Sequence, residues 1–116
     1  MRIAHPFAAA FALLALAGCA LVQHEPQDSP RLQAAGHALT RAACAGCHAV
    51  EAAGESPAPE APALRSLNAE GYRVATLENA LQNGISTGHP AMPIMRYSDG
   101  DVRAIVAYLR AIQTEK

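Results

Sequence analysis

The chain has 116 residues with 9 basic and 10 acidic side chains, which give a formal net charge of −1. This length favours one small domain, and without a basic stripe the chain lacks the signature of a nucleic-acid-binding protein. Aromatic residues make up only 4% of the sequence, so a core of Ala, Leu, Val and Ile has little bulk unless a large aromatic cofactor supplies it.

Residues 1–18 are typical of a bacterial export signal. Arg2 gives a short positive region, and the apolar run from Phe7 to Ala17 is too short to span a bilayer as a helix. The sequence LAGC at residues 16–19 resembles a lipobox, which predicts cleavage before Cys19 and attachment of lipid to its thiol. The alternative is ordinary cleavage after Ala17, which would leave Cys19 as an unmodified thiol.

A polar, proline-containing segment follows the predicted lipid site. Residues 19–29 show no hydrophobic period, so we expect a lipidated flexible tether there. Several acyl chains on Cys19 would anchor the protein stably to a membrane. The folded domain is therefore expected at residues 30–116, held in the bacterial cell envelope and facing the periplasm.

Three helices are predicted in this domain, and no segment shows the alternation of a strand. The first opens at Ser29, an N-cap followed by a first-turn proline. The second covers roughly residues 74–83 and stops at Gly84. The third starts at a capping box of Ser98 and Asp101 and ends with basic residues. The predicted fold class is therefore all-α.

The apolar positions of these helices define the expected core. Each set recurs at the three- and four-residue spacing of one helix face. The predicted faces comprise Leu32, Ala35, Gly36, Leu39 and Ala43 in the first helix, Val74, Leu77 and Leu81 in the second, and Val102, Ile105, Val106, Leu109 and Ile112 in the third.

The motif CAGCH, residues 44–48, matches the C-x-x-C-H pattern of covalent haem attachment. On a helix, Cys44 and Cys47 face the same side, where they could form thioethers with the two vinyl groups of one haem. His48 follows directly and could place an imidazole nitrogen on the iron from the same face. The motif predicts a covalently bound haem c with His48 as one axial ligand.

A second axial ligand is available in the stretch GHPAMPIM before the third helix. It contains Met92, Met95 and His89. Thioether sulfur is a soft ligand that suits low-spin iron and raises its reduction potential. A methionine of this stretch is therefore the preferred candidate.

Three other interpretations of CAGCH are open. A thioredoxin-type dithiol is possible, although no βαβ pattern surrounds the motif. A zinc site from Cys44, Cys47, His48 and His89 has suitable ligand types, but the adjacent Cys47 and His48 make tetrahedral closure awkward. A disulfide between Cys44 and Cys47 would close too small a loop to stabilise the fold appreciably.

Residues 30–114 resemble the class I monohaem cytochromes c of bacteria. The resemblance rests on CAGCH, on APAL at residues 61–64, on AMP before the last helix, and on Tyr108 within that helix. It implies a single-domain class I cytochrome c fold, with three main helices and loops wrapped around one covalently bound haem. It also implies that Met92, the methionine before a proline, is the sixth ligand, with Met95 as the alternative.

The resemblance implies three further features. The carbonyl of Pro62 would accept a hydrogen bond from Nδ1 of His48 and fix its tautomer. Gly36 and Tyr108 would mark a close crossing of the first and last helices. The family's commonest form has glycine where this chain has Ala61, which leaves the path of that loop open.

The implied function is single-electron transfer in a respiratory or other envelope chain, without enzymatic activity. Redox proteins and the membrane are the expected partners, and neither nucleic acid nor a small-molecule substrate is expected. Two alternatives are an electron-relay subunit of a dehydrogenase or reductase, and a haem-based gas sensor or peroxidase if the methionine is labile. Surface roles are also expected: Arg65, Arg73 and Arg96 as candidate propionate partners, and His24 and His37 in solvent.

Overall fold

A computed structural model describes residues 25–84 and 92–114. It contains α1 over Pro30–Cys44, α2 over Val74–Asn83 and α3 over Asp99–Ile112. A single turn of 3-10 helix, Leu64–Ser66, lies between α1 and α2 and was not expected from the sequence. These described residues contain no strand, so the all-α prediction is confirmed.

Helices α1 and α3 begin, and helix α2 ends, where their capping residues predict. The hydroxyl of Ser29 accepts a hydrogen bond from the Leu32 amide at 3.1 Å. The hydroxyl of Ser98 accepts one from the Asp101 amide at 3.2 Å and donates one to the Asp101 carboxylate at 2.7 Å. Helix α2 ends at Gly84, which has a φ of 96° that side chains rarely adopt.

The close crossing of α1 and α3 is the packing centre of the fold. A Cβ atom at Gly36 would overlap the backbone carbonyl of Ala104 and lie 2.9 Å from Cβ of Tyr108. Only glycine permits this approach. We call Gly36, Thr40, Ala104 and Tyr108 the helix crossing; all four residues are buried.

Fewer of the predicted core positions on α1 are buried than the sequence predicts. The predicted core position Ala35 is exposed, and Leu32 and Leu39 are only half-buried, whereas Thr40 has no exposed surface. The physical reason is the short distance between the helix axes at Gly36, which leaves room only for small side chains against α3. The residues of the main buried cluster are Val50, Leu64, Leu67, Val74, Leu81, Val102, Ile105, Val106, Tyr108 and Leu109.

The two residues after α3 hold the 3-10 turn in place. The side-chain amide of Gln113 donates to the Leu64 carbonyl at 2.7 Å and accepts from the Asn68 amide at 3.0 Å. The amide of Thr114 donates to the Arg65 carbonyl at 2.9 Å. These bonds fix the segment that follows Pro62, and they therefore help to position the candidate site.

Several predictions fall on residues outside the described part of the chain. They concern the export signal, Cys19, His24 and His89. Within residues 25–84 and 92–114, no helix has the length and apolar character needed to cross a membrane.

Candidate functional site

The CAGCH motif forms the turn that ends α1. Helix α1 finishes at Cys44, and the amides of Cys47 and His48 both donate to the Cys44 carbonyl, at 3.1 and 2.9 Å. Cys44 is half-buried and packs against the core, whereas Cys47 is exposed. The turn thus presents two thiols and an imidazole within one compact segment.

His48 has a defined tautomer. Its Nδ1 lies 2.8 Å from the carbonyl oxygen of Pro62. Because a carbonyl can only accept, Nδ1 carries a proton, and the neutral form of the ring has its lone pair on Nε2. The imidazole is therefore oriented and chemically prepared to ligate a metal through Nε2.

The loop between His48 and Pro62 is held by two hydrogen bonds to residues beside His48. The Ala49 amide donates to the Ser56 hydroxyl at 2.9 Å, and the Ala58 amide donates to the Cys47 carbonyl at 3.1 Å. Ala61 has a negative φ, as do all non-glycine residues in the described part of the chain. Alanine in place of the family's glycine is therefore compatible with this backbone.

The surroundings of the Cys44 thiol do not favour redox dithiol chemistry. Cys44 and Cys47 form no disulfide in the structure. Burial raises the pKa of the Cys44 thiol, and the nearby Cys47 raises it further. A thioredoxin-type nucleophile needs the opposite, a lowered pKa. The described residues also contain no group of three or more His, Cys, Asp or Glu side chains that could hold a metal ion.

The methionine segment, residues 92–97, packs beside the end of α2. The Tyr97 amide donates to the Leu81 carbonyl at 3.1 Å, and a Cβ at Gly84 would lie 2.9 Å from the Ile94 side chain. Met92 is half-exposed and follows residues 85–91, which are outside the described residues. The Tyr97 hydroxyl donates to the sulfur of Met95 at 3.3 Å, a contact that the sequence did not predict.

The arginines do not form one group. Arg65 donates through one nitrogen to the Gly54 carbonyl at 2.8 Å, and its other terminal nitrogen is buried without a partner among the described residues. Arg73 and Arg96 are exposed. A cleft of about 500 Å³ is lined by Pro62 and Arg65 but not by Cys44 or His48, so it is separate from the CAGCH turn.

His37 is not freely solvated, contrary to expectation. Its Nε2 lies 2.8 Å from a carboxylate oxygen of Glu51, and its ring stacks at a tilt on Tyr108 with centroids 4.9 Å apart. The partner lies 14 residues away along the chain, so helix periodicity could not reveal it.

The donor set and its surroundings fit a haem c. Two free thiols and an oriented imidazole lie on one turn, and the neighbouring half-buried surface is apolar, with Ala45, Leu77 and Tyr97 packed around the core. Ile94, within residues 92–97, is also a large apolar side chain and is 73% exposed.

The family described as cytochrome c oxidase, cbb3-type, subunit III matches residues 31–109. The chain belongs to this family of cytochrome c domains. The matched segment contains the CAGCH motif, Pro62 and Met92. No curated protein and no solved structure matches the chain.

Membership of the family supports the fold and the cofactor together. The cytochrome c domain is a small all-α domain, and it implies a covalently bound haem c and haem-based electron transfer with redox protein partners. Domains of this type are typically extracytoplasmic. The individual haem ligands, the export signal and the lipid anchor remain predictions.

Proposed function

We propose that this cytochrome is a lipid-anchored carrier of single electrons in the bacterial envelope, rather than an enzyme. In the proposed site, Cys44 and Cys47 hold the haem by thioethers, and His48 and Met92 are its axial ligands. The observation that carries this proposal is the 2.8 Å hydrogen bond from His48 to Pro62, because it leaves Nε2 as a ligand in the turn that bears both thiols.

Each residue has a separate task in electron transfer. When bound, the haem supplies a one-electron ferric/ferrous couple. Pro62 holds the His48 ring in one orientation and strengthens it as a ligand. Met92 would ligate the iron together with His48 and would keep oxygen and other small ligands from it. Both residues would stay bound in the ferric and the ferrous state, so electron transfer would need little movement of the protein.

The lipid anchor is proposed from the sequence around Cys19. A lipid on this residue would tether the domain through residues 20–29 and restrict its search for partners to a layer near the membrane. Expression of the full chain and of Cys19→Ser should place the wild type in the membrane fraction and the variant in the soluble periplasmic fraction. Equal distribution of both proteins would refute the anchor without affecting the haem assignment.

Absorption spectra of the ferric and ferrous holoprotein, with and without carbon monoxide, test the haem ligands. We expect a low-spin ferrous spectrum that carbon monoxide does not change and a weak far-red sulfur–iron band in the ferric form. Binding of carbon monoxide would indicate an open or labile sixth site and would favour the gas-sensor or peroxidase alternative. Absence of haem would return CAGCH to the thiol and zinc interpretations.

A second candidate function is an electron relay within a membrane oxidoreductase. The family description favours it, since it names a subunit of a cytochrome c oxidase. Purification of the tagged chain from its native membrane in mild detergent distinguishes the two functions. Stable co-purification with a larger catalytic chain would support the relay subunit, whereas recovery of the cytochrome alone supports the free carrier.

A further inference from the structure

Two methionines lie in the segment before α3, and the sulfur of either is a suitable ligand for haem iron. Met92 and Met95 are three residues apart, and both are half-exposed. Methionine is unbranched and has three rotatable bonds, so its sulfur can take several positions unless something holds it. A single well-defined ligand therefore needs a reason why one of the two is excluded.

The structure contains a contact that holds Met95. The Tyr97 hydroxyl donates a hydrogen bond to the Met95 sulfur at 3.3 Å. This bond engages one of the two lone pairs of the thioether and fixes the end of the side chain. The Met95 side chain thus has a defined position in the protein without the haem.

Tyr97 is itself rigidly placed. Its amide donates to the Leu81 carbonyl at 3.1 Å, which ties it to the last turn of α2. Its half-buried ring packs against the same core cluster as Cys44. Burial raises the pKa of the Tyr97 hydroxyl, so the hydroxyl remains a proton donor.

We propose that Tyr97 is a positioning residue that selects Met92 over Met95 as the sixth ligand. It does so by holding the Met95 thioether in the hydrogen bond from its own hydroxyl, which leaves the Met92 thioether as the one available to the iron. The inference rests on the proposed function, since it assumes methionine ligation by Met92. It adds the reason why two methionines give one ligand.

Removal of Met92 exposes the role of Tyr97. In the holoprotein, Met92→Ala should lose the far-red sulfur–iron band of the ferric form and should bind carbon monoxide in the ferrous form. Adding Tyr97→Phe to Met92→Ala should restore most of the band and suppress carbon monoxide binding, because Met95 is then free to move. The triple variant that also carries Met95→Ala should lose the band again.

Tyr72→Phe in the Met92→Ala background is the matched control. Tyr72 is 57% exposed, and loss of its hydroxyl should restore nothing. Failure of Met92→Ala, Tyr97→Phe to recover the band would overturn the role of Tyr97. Loss of the band in Met95→Ala, with the band kept in Met92→Ala, would show that Met95 is the ligand and would also overturn the proposal.

A measurement on the unmodified holoprotein covers the case in which a Tyr97 variant does not fold. A nuclear Overhauser contact between the Met95 methyl group and the Tyr97 ring is expected in the ferrous protein. Its absence would contradict the inference. A wild type without the sulfur–iron band would instead contradict the proposed function, so the two failures are distinguishable.

Discussion

Two regions of the cytochrome are stabilised in different ways. At the helix crossing, Gly36 lies directly against the backbone of Ala104, and the surrounding residues are buried by the chain alone. The loop side, which we define as residues 45–73 and 92–97, has short segments joined by single hydrogen bonds to backbone groups. It also carries the exposed side chains of Tyr72 and Ile94.

From this difference we expect the loop side, rather than the helix crossing, to depend on the cofactor. The helix crossing is stabilised by contact between the backbones of α1 and α3, which needs no other molecule. The loop side has half-buried apolar residues around the CAGCH turn and little bulk to cover them, as the low aromatic content predicts. A haem bound there would supply the missing apolar contact area.

The largest effect is expected when the haem cannot be attached. Full-length protein with Cys44→Ala and Cys47→Ala should lose its cooperative thermal unfolding transition, because this small domain buries too little surface without the haem. Residual hydrogen-exchange protection should be confined to α1 and α3. Circular dichroism and hydrogen exchange measure both results.

The matched cysteine control is Cys19→Ser, which should retain haem and the cooperative transition. A double variant that lacks haem but still unfolds cooperatively would show that the loop side has a sufficient core of its own. That result would mean that the two regions do not differ in their dependence on the haem.

The next largest effect is expected at Gly36. Gly36→Ala would force a methyl group into the Ala104 carbonyl, and we expect the free energy of unfolding of the holoprotein to fall by about 3 kcal/mol. Urea unfolding followed by circular dichroism measures the change. At Gly100, in the first turn of α3, the nearest heavy atom to an added Cβ is 3.8 Å away. Gly100→Ala should therefore leave stability unchanged or raise it by up to about 0.5 kcal/mol.

A tyrosine hydroxyl joins the two regions, and its removal should have an intermediate effect. Tyr108 donates to the Val50 carbonyl at 2.6 Å. Tyr108→Phe leaves that buried carbonyl without its partner and should cost about 1 to 2 kcal/mol of unfolding free energy. Tyr72→Phe, at an exposed position, should change it by less than about 0.5 kcal/mol. Equal effects of the two variants would contradict a specific link through Val50.

The same hydroxyl predicts a change with pH. Burial raises the pKa of Tyr108, and Glu51 raises it further. A folded-state pKa above the unfolded value contributes stability that is present below about pH 10 and is lost as the pH rises through the folded value. The wild type should therefore lose more stability than Tyr108→Phe in an alkaline titration, and the spectrum of the phenolate reports the ionisation.

The parts of the fold that depend on local sequence were predictable. The bounds of α2 at residues 74–83 follow from its apolar period and from Gly84. The starts of α1 and α3 follow from Ser29 and Ser98. Each serine hydroxyl accepts a hydrogen bond from the backbone amide three residues later. The spacing of Cys44, Cys47 and His48 is also local, which is why the candidate site could be placed from the sequence.

The remaining features depend on residues that are distant in the chain. The 3-10 turn is fixed by Gln113, 49 residues after Leu64. The burial of Thr40 depends on how closely α3 approaches α1. The bond from His48 to Pro62 was expected only from the family resemblance, since nothing in the residues themselves pairs these positions. Pairings of this kind require the tertiary fold.

The smallest effect is expected at the pair of His37 and Glu51, which bridges α1 to the loop side. Their side chains are 35% and 53% exposed, so solvent screens the attraction, and Glu51→Gln should cost only about 0.2 to 1 kcal/mol of unfolding free energy. The cost should shrink with added salt. Urea unfolding at low and at high salt measures this change, with Glu55→Gln, at an exposed position of the same loop, as the control. A large cost that does not change with salt would mean that Glu51 supports the contacts of Tyr108 instead of forming an ion pair. The loop side would then be attached through packing at the helix crossing and not through surface charge.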